Sequence, residues 1–220
     1  YRAKGDVDRA IAAYSEALRL DPTYAYGYNN RGNAYRDRGD LDLSIADYDR
    51  AIQLDPQYVY AYNGRGNAYR DLGEIDLAIA DYDQSIMLDP AYVFPYNGRG
   101  NAYKDKGEID LAIADYNKAL ELNPDYAFAY NGRANAWAAK GEAEKAIADY
   151  TESIKRDPGY AVAYRNRGLS YEDIGELELA LKDYSMAIRL NPNYAFAYND
   201  RGIIYDNLGQ PERAVVEYSE

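Results

Sequence analysis

Two asparagines, four residues apart, recur at a fixed interval along the 220-residue chain. Asn63 and Asn67 return 34 residues later as Asn97 and Asn101. A spacing of four places both side chains of a pair on the same face of a helix. Each carboxamide carries donors and an acceptor, so it can bond the C=O and N–H groups of an extended peptide. The alternative is that these side chains bond one another or adjacent helices and have a structural role.

The interval of 34 residues sets a register in which Ala25 is position 1 and the asparagines occupy positions 5 and 9. The residues that we predict to bind a peptide backbone are Asn29 and Asn33, Asn63 and Asn67, Asn97 and Asn101, and Asn131 and Asn135. Asparagine is a middling-to-poor helix former, so this pattern costs helix stability. Packing does not require it, because positions 4, 8 and 11 form the packing face.

A fixed period of this length is typical of stacked repeat proteins, in which each unit contacts its neighbours. The sequence predicts one continuous array over residues 1–220. The expected units are a partial repeat 1–24, full repeats 25–58, 59–92, 93–126, 127–160 and 161–194, and a partial repeat 195–220.

Each repeat is predicted to form two helices. In the first, Tyr62, Gly66 and Tyr69 follow the i, i+4, i+7 spacing of one helix face, and Gly73 is placed to end it. The second ends before the proline of an Asp-Pro or Asn-Pro pair, such as Pro90. The connections contain only two or three residues, so consecutive helices must pack antiparallel as neighbours.

This pattern resembles the tetratricopeptide repeat (TPR) family along the whole chain. The residues that carry the resemblance in one repeat are Tyr28, Gly32, Tyr35, Ser44, Tyr48, Ala51 and Pro56. It implies an all-α fold, a right-handed TPR superhelix (an α-solenoid) of antiparallel helix pairs, whose first helices line a concave groove. The asparagine-lined groove is similar to that of the TPR superhelix of the O-linked N-acetylglucosamine transferase, which grips peptide main chain. The basic clamp of chaperone-binding TPR domains is not matched.

Position 7 departs from the family, which usually has an apolar residue there, often leucine. It is arginine in every repeat that contains it, and position 23 is acidic in the same repeats. The leading partial repeat lacks position 7, and its position 23 is Ala13. Because a partly buried guanidinium needs a partner, we predict ion pairs such as Arg65 with Asp81 and Arg99 with Asp115. The alternative is solvated arginines lying along tyrosine faces.

Aromatic and basic side chains are predicted to flank the groove. All 27 tyrosines fall at five positions of the register. Positions 4, 11 and 24 are packing positions and position 34 lies in a turn, whereas the aromatic residues Tyr60, Phe94 and Phe128 at position 2 are expected at the groove's edge. Interfaces favour such anchors. Arg70 and Lys104 at position 12 would contact an acidic or mixed-charge ligand, or would simply form local pairs on a solubilising surface.

The asparagine pattern changes after Asn135, where Val162, Leu169 and Ile203 bring apolar groups onto the same stripe. Two causes are open. A ligand would need an apolar pocket there, or a capping helix would cover this face, since terminal repeats are usually atypical.

Composition argues against several other classes of protein. The net charge of −12 is unsuited to a generic nucleic-acid or anionic-membrane surface. Cysteine and histidine are absent, so neither thiolate metal sites nor a histidine base can form. No catalytic motif is present, no membrane-spanning stretch is expected, and no cofactor or metal is predicted. The location is left open, with the cytoplasm favoured.

The sequence thus predicts a non-catalytic protein–protein interaction scaffold that binds an extended peptide or partner segment in the groove. Two alternatives stay open. One is a structural or self-assembling module, with the apolar ends Tyr1–Ala3 and Val215–Tyr218 stacking end to end. The other is the substrate-docking region of a larger enzyme.

Overall fold

The computed structural model describes residues 4–218, and within this range the chain forms thirteen α-helices and no strand. The helices are α1 (Lys4–Leu20), α2 (Ala25–Arg38), α3 (Leu41–Leu54), α4 (Val59–Leu72), α5 (Ile75–Leu88), α6 (Val93–Asp105), α7 (Ile109–Leu122), α8 (Ala127–Ala139), α9 (Ala143–Arg156), α10 (Ala161–Asp173), α11 (Leu177–Leu190), α12 (Ala195–Asn207) and α13 (Pro211–Tyr218). The predicted all-α class and the two helices per repeat are confirmed.

The chain divides into two compact units, residues 1–111 and 112–220. In the first unit, α2 packs against α3 and α4 against α5, while α3 and α5 also pack against the first helix of the following repeat. The first helices α2, α4 and α6 are direct neighbours in that order. In the second unit, the pairs are α8 with α9, α10 with α11 and α12 with α13, and α8 contacts α10. One continuous array over residues 1–220 stays a prediction.

Gly73 ends the first helix of its repeat as predicted. Its φ of 84° lies in the left-handed region, which residues other than glycine rarely adopt. Its N–H donates to the carbonyl of Arg70 over 2.9 Å, and the next N–H, that of Glu74, donates to the carbonyl of Tyr69 over 2.9 Å. These bonds satisfy carbonyls that the helix end would otherwise leave without partners.

The Asp or Asn before the proline at the end of each second helix has a further role that the sequence pattern did not predict. Asp55 adopts an extended φ of −138°, and its Oδ1 accepts a bond of 2.9 Å from the N–H of Gln57. This is the turn that Asp and Asn side chains stabilise by bonding the backbone two residues on. The same contact joins Thr23 to Asp21, Ala91 to Asp89, Asp125 to Asn123, Gly159 to Asp157 and Asn193 to Asn191.

The tyrosine at position 24 forms the centre of each repeat. Tyr48 is fully buried. A Cβ built on Gly32 would lie 3.0 Å from its Cε1, and one built on Gly64 of the next repeat would lie 2.5 Å from the same atom. Glycine at these two positions therefore lets the ring lie between consecutive first helices. Tyr82, Tyr116, Tyr150 and Tyr184 are buried in the same way.

The predicted arginine ion pairs are present. Arg65 donates from Nε and Nη2 to the two carboxylate oxygens of Asp81, over 2.8 and 2.7 Å. This bidentate geometry is the strongest that an arginine and a carboxylate can form. Equivalent bidentate pairs join Arg31 to Asp47, Arg133 to Asp149 and Arg167 to Asp183. Arg201 donates from both Nε and Nη2 to one oxygen of Glu217. The pair of Arg99 with Asp115 stays a prediction.

The same arginines also bond the preceding repeat and lie beside tyrosine rings. Nη1 of Arg65 donates to Asp49, which occupies position 25 of the repeat before it. The guanidinium carbon lies 5.7 Å from the ring centre of Tyr62 and 5.9 Å from that of Tyr69. The ion-pair prediction is therefore confirmed for Arg65, and the solvated alternative is wrong except for its tyrosine contacts, because the arginine side chain is only 20% exposed while its guanidinium lies beside two aromatic rings.

Candidate functional site

The asparagines at positions 5 and 9 meet on one face of the first unit. Asn29 and Asn33 from α2 and Asn63 and Asn67 from α4 line a cavity of about 460 Å³. The aromatic side chains in its lining are Tyr26, Tyr58, Tyr60 and Tyr92. We call these eight residues the asparagine groove. The structure thus brings together four of the predicted asparagines and the predicted aromatic residue Tyr60.

At position 9, the asparagine oxygen is bound by the buried tyrosine. The hydroxyl of Tyr82 donates to Oδ1 of Asn67 over 2.9 Å, and that of Tyr48 donates to Oδ1 of Asn33 over 2.8 Å. In the second unit, Tyr150 donates to Asn135 over 2.7 Å. The oxygen of each of these asparagines therefore has a structural role, because it accepts a hydrogen bond from a buried tyrosine hydroxyl. Because the oxygen is occupied, the amide N–H groups are what these side chains have left to offer a ligand.

At position 5, the asparagine oxygen is enclosed without a partner. Within the described part of the chain, Oδ1 of Asn29, Asn63, Asn97 and Asn131 is buried and accepts no hydrogen bond. A buried polar atom in this state costs about 1–3 kcal/mol. An enclosed polar atom of this kind, repeated at the same position in four repeats, calls for an explanation. With the oxygen enclosed, the amide N–H groups are what this side chain has left to offer a ligand.

These contacts predict that the two asparagines of one pair differ in what they contribute to stability. Replacing Asn67 by alanine is expected to lower the free energy of unfolding by about 1–3 kcal/mol, because the Tyr82 hydroxyl would lose its acceptor inside the core. Urea unfolding followed by circular dichroism would measure the change. Asn193→Ala, in an exposed turn, is the control. An Asn67→Ala protein as stable as the parent would contradict the role of this bond.

Aromatic rings from positions 34 and 2 alternate along one side of the groove. The ring centres of Tyr58 and Tyr60 are 5.6 Å apart, those of Tyr60 and Tyr92 are 5.1 Å apart, and those of Tyr92 and Phe94 are 5.4 Å apart. We call these four residues the aromatic rim. Tyr60 and Phe94 are each about half exposed, at 53% and 51%. Burial, with smaller contributions from neighbouring tyrosines, raises the pKa of Tyr58 to about 12.

A similar succession of rings occurs in the second unit. Phe128, a predicted contact residue, lies 5.8 Å from Tyr126 and 5.0 Å from Tyr160 between ring centres. The sequence analysis assigned position 34 to a turn and therefore missed these ring pairs. The signal for them was present, because position 34 is tyrosine in every repeat and stands two residues before position 2.

The basic residues at position 12 form local ion pairs. Nζ of Lys104 lies 2.9 Å from Asp105, and Arg70 lies 3.9 Å from Asp71. Asp71 also pairs with Arg36 of the preceding repeat, over 2.8 Å. The local-pair interpretation therefore accounts for these charges, and ligand contacts by Arg70 and Lys104 stay a prediction.

The asparagine pattern is interrupted at Arg165, which occupies position 5 of α10, and asparagine returns at position 5 only with Asn199. Its Nε donates to Asp200 over 2.6 Å, and its guanidinium lies 5.3 Å from the ring centre of Phe196. Leu169 at position 9 cannot accept a bond, and it packs against the buried cluster that contains Tyr184. The Tyr184 hydroxyl donates instead to Glu172, over 3.0 Å. An ion pair and an apolar contact thus replace the amide groups here.

Several sequence-based expectations fall elsewhere in the chain. Of the two apolar ends proposed for stacking, Tyr1–Ala3 lies outside the described residues, whereas Val215 on α13 is 66% exposed. End-to-end association stays a prediction. In residues 4–218, no helix is both long enough and apolar enough to cross a membrane. Across the same range, no cluster of three or more acidic side chains could hold a metal ion.

Family models match most of the sequence. The model described as TPR repeat matches residues 1–35, 32–69, 66–107 and 100–141. Two models described as Tetratricopeptide repeat match residues 161–194 and 184–216. Comparison of the sequence with curated proteins gives no significant match.

Three solved structures with the same fold differ in their sequence identity to this chain and in the share of each chain that is covered. MamA is 31% identical, with 74% of this chain and 96% of MamA covered and a TM-score of 0.62. YrrB, described as a TPR protein with an unusual peptide-binding site, is 25% identical, with 84% and 95% covered and a TM-score of 0.59. A chain of the Cut9-Hcn1 hetero-tetramer of the APC/C is 18% identical with a TM-score of 0.87. The match covers 97% of the present chain but 42% of that protein. The family models and the sequence identity with MamA together show that the chain belongs to the tetratricopeptide repeat family.

Proposed function

We propose that this chain is a non-catalytic interaction scaffold and that the asparagine groove binds an extended segment of a partner protein. The observation that carries the proposal is the state of the asparagines at position 5. Each has an oxygen enclosed without a partner, at a cost of about 1–3 kcal/mol, so a hydrogen bond from its side chain to a ligand must come from the amide N–H groups. A row of amide donors on a rigid helical surface is suited to binding peptide carbonyl groups.

The aromatic rim supports the same proposal. Tyr60 and Phe94 present half of their surface to solvent beside the asparagines. Aromatic side chains are common anchors in protein interfaces because they bury a large area with few rotatable bonds. YrrB, which is described as having a peptide-binding site, is a relative of the same fold at 25% identity. In this proposal the asparagines bind the main chain of the ligand and the rings contact its side chains.

The test uses two asparagines at position 5. The full chain is screened against a random library of end-blocked peptides, and the affinity of the selected peptides is measured by fluorescence anisotropy. The variant Asn63→Ala with Asn97→Ala is expected to bind at least about tenfold more weakly. Its free energy of unfolding is expected to rise by about 1 kcal/mol per site, because alanine removes the enclosed oxygen and is the better helix former.

The direction of the stability change separates the two interpretations of these asparagines. If they serve only as structural polar contacts, the double variant will unfold more easily and any loss of binding will follow that instability. Asn193→Ala, an exposed asparagine in a turn outside the groove, should change neither quantity. Selection of no peptide at all, or undiminished binding by the double variant, would overturn the proposal.

A further inference from the structure

The four asparagine side chains of the groove offer a ligand hydrogen-bond donors and no acceptor. Tyrosine hydroxyls bind the oxygens of Asn33 and Asn67, and the oxygens of Asn29 and Asn63 are enclosed. What these four side chains present to a ligand is therefore N–H. Asn30 at the first repeat is the exception, because its nitrogen is the enclosed atom. Position 6 is glycine in the next two repeats, at Gly64 and Gly98.

A donor surface selects among peptide backbones. An ordinary extended peptide presents both C=O and N–H groups, and each N–H that is desolvated without an acceptor costs about 1–3 kcal/mol. Proline has a carbonyl but no backbone N–H. A segment rich in proline therefore matches the groove, because nearly all of its backbone groups are acceptors.

The spacing of the aromatic rim points to the same conformation. The Tyr60 and Tyr92 ring centres are 5.1 Å apart, and the Tyr92 and Phe94 ring centres are 5.4 Å apart. The Tyr60 and Phe94 ring centres are therefore at most about 10.5 Å apart. Packed helices are generally about 8–10 Å apart between their axes. A polyproline II helix advances about 9.3 Å in one turn of three residues. The general spacing of about 8–10 Å between packed helices is closer to this rise than to the roughly 6.7 Å after which a β-strand returns to the same face.

Aromatic rings are also the surface that a polyproline II segment needs. Grooves that bind such segments are lined by aromatic side chains, and the ligand loses little conformational entropy because it is already extended. Tyr26, Tyr60 and Phe94 occupy position 2 in three successive repeats, and each is at least half exposed. Three repeats correspond to three turns, or about nine ligand residues.

We propose that the asparagine groove and the aromatic rim together bind a segment of consecutive or nearly consecutive prolines in the polyproline II conformation, in which every third residue is a proline that packs against an aromatic ring. This inference rests on the proposed function, and it adds the chemical class and the conformation of the ligand. The amide donors bond the ligand carbonyls, and the rings at position 2 pack on the prolines.

Calorimetric titration of the full chain with end-blocked peptides of nine residues tests the inference. The probes are nonaproline, a peptide of three Pro-Ala-Ala units, a Gly-Ser peptide, and a Thr-Val peptide that favours β-structure. Nonaproline is expected to bind at least about tenfold more tightly than the Gly-Ser and Thr-Val peptides, with the Pro-Ala-Ala peptide between them. Tyr60→Ala should weaken the binding of nonaproline by about tenfold, and Tyr60→Phe should restore it.

The outcomes separate this inference from the proposed function. If a peptide without proline binds as tightly as nonaproline, and does so in a way that Asn63→Ala weakens, the groove binds peptides but the polyproline II inference is wrong. If no peptide binds, both are wrong. Met87→Ala, at an exposed side chain outside the groove, is the matched control and should leave all affinities unchanged.

Discussion

Replacing Arg65 by leucine is expected to lower the free energy of unfolding by about 3 kcal/mol or more at neutral pH. The Asp81 side chain is only 8% exposed, and Arg65 donates to both of its oxygens. Removing one partner leaves a buried charge without compensation, which typically costs about 3–5 kcal/mol. The same variant loses the bond to Asp49 and the contacts with the two flanking tyrosines. Denaturant unfolding monitored by circular dichroism would measure the loss.

The size of this loss should depend on pH. Burial raises the pKa of Asp81 even though Arg65 lowers it, and loss of the arginine would raise it further. A carboxyl group with a raised pKa in the folded state is neutral at low pH, where its burial costs least. The destabilisation in Arg65→Leu should therefore shrink as the pH falls toward the pKa of Asp81 and reach its full value above that pKa.

A double replacement distinguishes the ion pair from general packing. Arg65→Leu combined with Asp81→Leu removes both charges and places apolar side chains where the family usually has one. Replacing a whole buried pair in this way is often close to neutral, so the double variant should recover most of the stability that the single variant loses. Arg50→Leu is the control, because Arg50 is exposed and contacts Gln53. A single-variant loss below about 1 kcal/mol would contradict a structural role for the pair.

The sequence was sufficient for the helices and for the ion pairs because each repeat restates the same local signal. Glycine stands at the end of every first helix, and its left-handed conformation is specific enough to be predicted from one sequence. The pair of Arg65 with Asp81 was predictable because two residue types occur together: position 23 is acidic only in the repeats that contain the arginine at position 7. A single copy of either signal would have been far weaker evidence.

The polarity of the groove was not predictable in the same way. Tyr48 was assigned to packing, and its ring does pack. However, the hydroxyl reaches Asn33 only because the ring lies between two helices at a particular depth. Periodicity gives the face on which a side chain lies and does not give which atom of a carboxamide is enclosed. The second partner of Arg65 was missed because position 25 varies among Ser, Asp, Asn and Thr, although it is always polar.

Raising the pH from 10 to above 12 is expected to unfold the chain cooperatively. Burial raises the pKa of Tyr48 to about 12, and it raises the pKa values of Tyr82, Tyr150 and Tyr184 as well. The ordinary value for tyrosine is about 10. Below pH 10, both folded and unfolded chains hold these protons, so the buried phenols add no pH dependence to stability in that range.

Between pH 10 and 12 the unfolded chain releases these protons and the folded chain retains them. The free energy of unfolding then falls by about 1.4 kcal/mol per pH unit for each such tyrosine. Four buried tyrosines together would remove a stability of about 5–15 kcal/mol, which is the range of an ordinary domain, within one to three pH units. Arginine does not offset this loss, because Arg31 and Arg65 have pKa values raised by their ion pairs with Asp47 and Asp81.

A pH titration followed by two signals would test this expectation. Helix content from circular dichroism should fall together with the part of the near-ultraviolet tyrosinate absorbance that the buried phenols contribute, because these phenols ionise only when the repeats open. Tyr82→Phe should move the transition to higher pH even though it removes the bond to Asn67 and lowers stability at pH 7 by about 1 kcal/mol. Gradual ionisation of all 27 tyrosines with the helices intact would show that burial does not hold these protons. The opposite effects of Tyr82→Phe at pH 7 and in the alkaline transition are decisive, because loss of a hydrogen bond alone would lower stability equally at both pH values.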